Sequence, residues 1–199
     1  MKILKLGLLM AAVSLMLPSA KADLLYTGSQ AGLCCFDVNL HQASATDVQV
    51  TVSLTGGAQW FVDTGGGQHP GFAFNLINNP VITISNLSSP WTPSDVHVAS
   101  VTTGGPALGT FDYYIDNPGS GASSQNPGPL TFDVTLGTGI SINDFVSNSA
   151  GNLFVADIMD ANGKTGESAI GLTEPSTSLM LLSAGLALIF LRRRAAARP

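Results

Sequence analysis

Hydrophobic and polar residues alternate with a period of two through the middle of the chain. Val48, Val50, Val52 and Leu54 share one parity, and Gln49, Thr51, Ser53 and Thr55 the other. Leu130, Phe132, Val134 and Leu136 alternate with Thr131, Asp133 and Thr135. Phe111, Tyr113 and Ile115 alternate with Asp112, Tyr114 and Asp116. Successive side chains of a strand point to opposite faces, so each run predicts a strand with one buried face and one wet face. Weaker runs predict strands over Trp60 to Asp63, Phe72 to Ile77, Val81 to Ser85, Val96 to Val101 and Leu153 to Ile158. Turn residues separate them: Gly56-Gly57, Gly65-Gly66-Gly67, Asn78-Asn79-Pro80, Gly104-Gly105-Pro106 and Asn162-Gly163. Short strands at this spacing predict an all-β chain folded as a single, jelly-roll-like β-sandwich. One short helix is predicted over Ile142 to Asn148. Ser141 would cap it, Ile142, Phe145 and Val146 would form its buried stripe, and Gly151 follows its end. The stretch Asn117 to Pro129 has small, polar side chains and predicts a mobile spacer loop.

Both ends break the alternation. Lys2 and Lys5 precede an apolar run from Leu6 to Leu17, Pro18 closes it, and Ala20-Lys21-Ala22 offers small residues for cleavage. Residues 1–22 therefore predict a secretory signal peptide, whose apolar run is too short for a spanning anchor. Cleavage would leave Asp23 first. At the other end, Leu179 to Leu191 carries no charge, and Arg192, Arg193 and Arg194 follow. A membrane helix is predicted over 177–191. Its charge-free part would span roughly 20 Å, against a hydrocarbon core of roughly 30 Å. Local thinning and arginines snorkelling to the headgroups would let it insert, with the arginines at the cytoplasmic end. A buried core helix is the alternative, which three consecutive arginines make costly.

Between the ends, residues 23–172 make one domain, large enough for a real core. Its charge is lopsided. Of the eight Lys and Arg, Lys164 alone lies between Asp23 and Glu174, while all thirteen Asp and Glu do, giving −12 there against −5 for the whole chain. One basic side chain cannot neutralise a phosphate backbone, which excludes nucleic acid as a partner. An anionic membrane surface is disfavoured for the same reason. Such a charge keeps an exported domain soluble and favours cations.

The tail, in the order Glu174-Pro175, short apolar helix, arginine cluster, resembles the PEP-CTERM sorting signal, with Thr173 where that signal usually opens on a proline. The resemblance covers 173–199. It implies an exported protein of a Gram-negative, exopolysaccharide-making bacterium. Signal peptidase and an exosortase-like membrane enzyme would process it, and it would be membrane-anchored in transit to the cell surface or the exterior. Val48 to Leu76, with Thr64-Gly-Gly-Gly-Gln-His69-Pro-Gly-Phe-Ala-Phe-Asn75, is also similar to domains that carry such tails. So is Phe154-Val-Ala-Asp-Ile158 followed by Thr165-Gly166. The resemblance assigns those domains no activity.

Candidate chemistry is sparse. Cys34 and Cys35 are adjacent in a chain read as exported to an oxidising place. A bond between them would be strained, since neighbouring Cα atoms lie about 3.8 Å apart. Free thiols, intermolecular bridges and plain packing stay open. His41, His69 and His97 lack metal-ligand spacing and read as solvent-facing or hydrogen-bonded. Asp160 and Asn162 leave an irregular calcium site open, although the register around Gly163 fails as an EF-hand. No nucleophile elbow occurs, and Ile158 stands where a P-loop before Gly163-Lys164-Thr165 needs glycine. An acid pair for hydrolysis would rest mainly on aspartates. Trp60, Trp91, Tyr113 and Tyr114 are the aromatic candidates for sugar stacking. Trp91, between prolines, and Tyr114, on the wet parity, are read as exposed. The expected function is non-catalytic, alongside exopolysaccharide. A carbohydrate-binding module is the alternative, and an aspartate-based hydrolase stands behind it.

Overall fold

The computed structural model describes residues 23–28, 35–64, 69–103 and 107–171. The predicted signal peptide, the predicted tail with Glu174, Pro175 and Arg192 to Arg194, Cys34, and the turns predicted at 65–67 and 104–106 lie outside the described residues. The first strands are β1 (Asp23–Gly28), β2 (Phe36–Ser44), β3 (Asp47–Leu54), β4 (Ala58–Asp63), β5 (Phe72–Phe74), β6 (Thr83–Ser85) and β7 (Val96–His97). They are followed by β8 (Val101–Thr103), β9 (Gly109–Phe111), β10 (Tyr113–Ile115), β11 (Gly121–Asn126), β12 (Leu130–Thr135), β13 (Asn152–Asp160) and β14 (Thr165–Gly171). The fold is all-β, and its pairings are antiparallel.

Five strands form one sheet in the order β1-β2-β3-β12-β6. The alternation predicted from the sequence is realised here. Val48, Val50, Val52, Leu130, Phe132 and Val134 are wholly buried, and Gln49, Thr51, Thr131 and Asp133 are not. The larger sheet runs β11-β4-β13-β5-β10-β7, with β14 also on β13. Its centre is β13. Phe154 pairs with both Phe74 and Ile170, and Ile158 with both Phe61 and Gly166. Thus β14 lies along one edge of β13, while β4 and β5 share the other, end to end. The pairings of β4 and β5 stop at Ile158 and Val155, on either side of Ala156 and Asp157.

The two sheets share one core. Phe132 of the five-stranded sheet lies 6.0 Å from both Phe72 and Phe74 of the larger one, ring centre to ring centre. Tyr26 meets Phe154 edge-on at 5.3 Å, and Phe145 closes one side at 5.5 Å from Phe74. Each buried aromatic contributes about 1.5–3 kcal/mol through its removed apolar area. On its outer face the larger sheet carries a second, smaller cluster. Ala73, Tyr114, Val155 and Ala169 are covered there by Val101 and Phe111 of the β8–β9 hairpin. Three asparagines fasten that hairpin. Asn148 and Asn152 donate to Leu108 O (2.7 and 3.0 Å), and Asn75 accepts from the Asp112 N–H (2.6 Å).

Four expectations are corrected here. Phe111 does not share a face with Tyr113 and Ile115. The chain bends at Asp112, which sends Phe111 and Tyr114 to the outer cluster and leaves Tyr113 and Ile115 in the main core. The predicted helix over Ile142 to Asn148 is a single 3-10 turn, Ile142–Asp144, although Ser141 caps it by accepting from the Asn143 N–H and Ile142 and Phe145 are buried. The stretch from Asn117 to Pro129 is no mobile spacer, since residues 121–126 form β11 against β4. Asn117 is buried, donates to Ser124 O and accepts from Asn126, both at 2.6 Å. Gly128 has φ +73°, and a Cβ there would lie 2.8 Å from the Phe61 ring, so glycine is required where this arch re-enters the core. Finally, β1, β2 and β14 are strands beyond those predicted.

Candidate functional site

Among the described residues, a buried polar constellation lies on the outer face of the larger sheet, where β4 leaves β13. Ala156 and Ile158 point into the main core, so Asp157 between them points outward, and it is wholly buried there. A buried carboxyl needs partners. Thr64, 93 residues earlier, supplies them. Its N–H donates to Oδ2 at 2.6 Å and its hydroxyl to the same oxygen at 2.9 Å. Directly across the ladder on β14 stands Glu167, with a side chain 6% exposed. Glu167 Oε1 lies 3.3 Å from Nδ1 of His69, whose ring is about a quarter open to solvent at 27%.

Burial dominates the electrostatics. It pushes the Asp157 carboxyl up to about 6, against the pull of the Thr64 hydrogen bonds and of His69, and Asp63 pushes it further up. Burial also raises Asp63, which His69 partly offsets. A second pair lies nearby. His97 Nε2 is 2.9 Å from Asp116 Oδ2, and the His97 ring stacks on Tyr114 at 4.4 Å. Asp116 is raised by burial first, is lowered by His97, and is raised by Asp63 and Asp95. Asp63 therefore links the two histidine–carboxylate pairs into one acidic patch. The remaining histidine, His41, pairs with its cross-strand partner Asp23. All three histidines thus sit against carboxylates.

The residues singled out from the sequence fall elsewhere. Trp91 is 4% exposed, its ring packed edge-on against Phe61 at 5.7 Å, and its Nε1 has no hydrogen-bond partner. Tyr114 is 8% exposed beneath His97. Neither is the exposed stacking platform expected. An indole carries too much apolar area to leave in water when a core edge is in reach, and the parity of Tyr114 faces a covered surface rather than solvent. Asp160 and Asn162 form the β13–β14 turn. Asp160 Oδ1 accepts from the Asn162 and Lys164 N–H groups at 2.8 and 2.9 Å, and these bonds hold its carboxyl below the ordinary range. Among the described residues, no group of three or more His, Cys, Asp or Glu is arranged to hold a metal. Cys35 is disulfide-bonded, which removes the free-thiol alternative for it.

Asp157, Glu167, Thr64 and Asp63 were not foreseen as a site. One signal existed: Asp157 is a lone charge inside the apolar run Leu153-Phe-Val-Ala-Asp-Ile-Met159. The structure also joins, through Thr64 and Asp157, the two stretches singled out for their resemblance to tail-bearing domains. No family model, no curated protein and no solved structure matches this chain.

Proposed function

We propose that the chain is an exported, exosortase-sorted, non-catalytic β-domain of the cell surface that works within or beside exopolysaccharide. One observation supports this most. The sequence places Lys2, Lys5, the apolar run Leu6 to Leu17 and Ala20-Lys21-Ala22 at one end, and Glu174-Pro175, an apolar run and Arg192 to Arg194 at the other. On this reading signal peptidase releases residues 1–22. The apolar helix over 177–191 holds the tail in the membrane, and Glu174-Pro175 is presented to the sorting enzyme. Proline disfavours helix in the residue before it, which keeps the dipeptide extended. Two sheets over one core suit a β-sandwich. A jelly-roll-like order fits the larger sheet better than β1-β2-β3, which form a meander.

The test is the intact mass of the protein in a host with an exosortase. The expected mature chain starts at Asp23 and ends near Thr173 or Glu174. Replacing Glu174 and Pro175 by alanine should leave export intact and accumulate an unprocessed membrane form. A wild-type chain that keeps Arg198-Pro199 at steady state would sink the sorting reading. The hydrolase reading gains one foothold from the adjacent carboxyls of Asp157 and Glu167, but their burial weighs against substrate access. The carbohydrate-binding reading loses its exposed rings. Calcium remains a proposal at Asp160 and Asn162, and a melting temperature that rises more with calcium than with sodium at matched ionic strength would support it.

A further inference from the structure

We propose that Ile77, Val81 and Val98, at the end of the domain where β14 finishes, rest on the lipid surface while the tail is in the membrane. The inference rests on the reading of 177–191 as a membrane helix. Register identifies the end. β5, β7 and β14 all run opposite to β13, so all three finish where β13 begins. Gly171, the last residue of β14, pairs with Asn152, the first of β13. β5 passes Phe74, the partner of Phe154, and the chain then crosses to β6 of the other sheet. Ile77 and Val81 lie on that crossing. β7 ends at His97, opposite Tyr114, and Val98 follows it towards Asp112, which accepts from the Ser100 hydroxyl at 3.2 Å. Among the described residues, the large apolar side chains that stand exposed are Leu25, Ile77, Val81 and Val98, with Val81 the most open at 88%. Leu25 belongs to the outer face of the five-stranded sheet, in register with Asn39 and Thr51. The other three share the end where Gly171 lies.

The crossing loop holds its apolar groups outward. Leu76 and Ile82 are buried on either side of the exposed stretch. The Ile77 N–H donates to Asp144 O at 2.8 Å, the Asn79 N–H to Leu76 O at 3.1 Å, and the Tyr113 hydroxyl to Pro80 O. Asn78 and Asn79 take φ of +62° and +44°, a region asparagine enters more readily than most residues. Charge selects the partner. Asp112 and Asp144 lie at this end, and Lys164, the single Lys or Arg between Asp23 and Gly171, lies at the opposite turn. Anionic headgroups are therefore repelled, and a zwitterionic lipid surface fits. Reach selects the end. Six residue steps lead from Gly171 to Thr177, about 20 Å at full extension. A domain of this size is roughly 35–40 Å across, so the opposite turn cannot take the place of this end. The three side chains hold about ten carbons, fewer than one myristoyl chain, which itself binds membranes only marginally. Tethering makes the contact intramolecular, and a weak contact then suffices. It keeps Glu174-Pro175 close to the bilayer for the sorting enzyme and lapses once the tail is removed.

The test uses the exported chain, tail included, reconstituted in phosphatidylcholine vesicles. Val81→Cys carries an environment-sensitive dye, and Thr51→Cys, on the wet face of the five-stranded sheet, is the control. The unsubstituted chain, treated alike, gives the background. Both substitutions are at positions open to solvent and leave the core intact. Lipid spin-labelled near the headgroup should quench the dye at position 81 and spare it at 51, in low salt and in high. Adding Ile77→Ser and Val98→Ser should weaken the quenching at 81. Flotation with the vesicles reads the tail separately and should be lost in a chain carrying Leu186→Arg and Ile189→Arg. No quenching at 81 in a chain that floats, equal quenching at 51, or quenching abolished by salt would overturn the lipid contact and leave the tail reading standing. So would undiminished quenching in the serine variant. A dye that is shielded only as protein concentration rises would assign the patch to a second copy and overturn the proposal. Flotation that survives the two arginines would overturn the tail reading, and the tethered contact with it.

Discussion

Strands β3 and β13 are each central to their sheet, and they meet solvent differently. β3 buries Val48, Val50 and Val52 and leaves Gln49 and Thr51 at least partly in water. β13 is buried on both faces from Asn152 to Met159. The outer face of the five-stranded sheet can satisfy its polar side chains with solvent. The outer face of the larger sheet lies under the β8–β9 hairpin, and Thr64 bonds to Asp157 there, so its polar groups depend on the chain. Asp133 on β12 and Asp157 on β13 both point outward, yet only Asp157 is wholly buried. The same residue type in the same kind of ladder is a solvated charge in one sheet and a strained one in the other.

The sharpest way to break this contrast is to remove the charge. The folded chain binds the Asp157 proton more tightly than the unfolded chain does. The stability this proton confers is present below about pH 4 and lost as pH rises through about 6, a loss of about 3 kcal/mol. Asp157→Asn should therefore match wild type near pH 4 and exceed it at pH 7 by up to about 3 kcal/mol in urea unfolding. A residual slope would remain from Asp63 and Asp116, which are raised in the same direction. A smaller effect is expected from apolar truncation on the same face. Val155 is wholly buried under the hairpin, and Val155→Ala should cost about 2 kcal/mol. The least effect belongs to the wet face of the other sheet, where Thr51→Ala should change stability by under about 0.5 kcal/mol. If Thr51→Ala cost as much as Val155→Ala, the two outer faces would not differ as described.

Legibility followed the same division. Where one face is wet, alternation is visible, and β3 and β12 emerge with their buried residues correct. β2 carries the same signal in Phe36, Val38 and Leu40 against Asp37, Asn39 and His41, but it abuts Cys35 and ends in the polar Gln42–Ser44, and it was not among the predicted strands. β11, Gly-Ala-Ser-Ser-Gln-Asn, has no hydrophobic pattern at all. Its partner strand and the Asn117 side chain hold it, and composition does not display either. The site was hidden for a different reason. Asp157 is visible as a charge in an apolar run, but its partner Thr64 is 93 residues distant, and a fold brought them together. Trp91 misled because flanking prolines mark a loop without saying whether its aromatic turns inward.

The position of β13 also sets an order of events. β1, β2 and β3 are neighbours in sequence as well as in space and can pair as soon as they are made. β4 and β5 find their shared edge only when β13 arrives, some hundred residues later by roughly the separation of Phe61 from Ile158. A chain emerging from its N-terminus first could pair β5 with β10 and β4 with β11, but the other edge of β4 and β5 would stay open until nearly all of the domain has appeared. The larger sheet can lock only once the β13–β14 hairpin is through, so the last stretch before the tail is also the one that completes the fold.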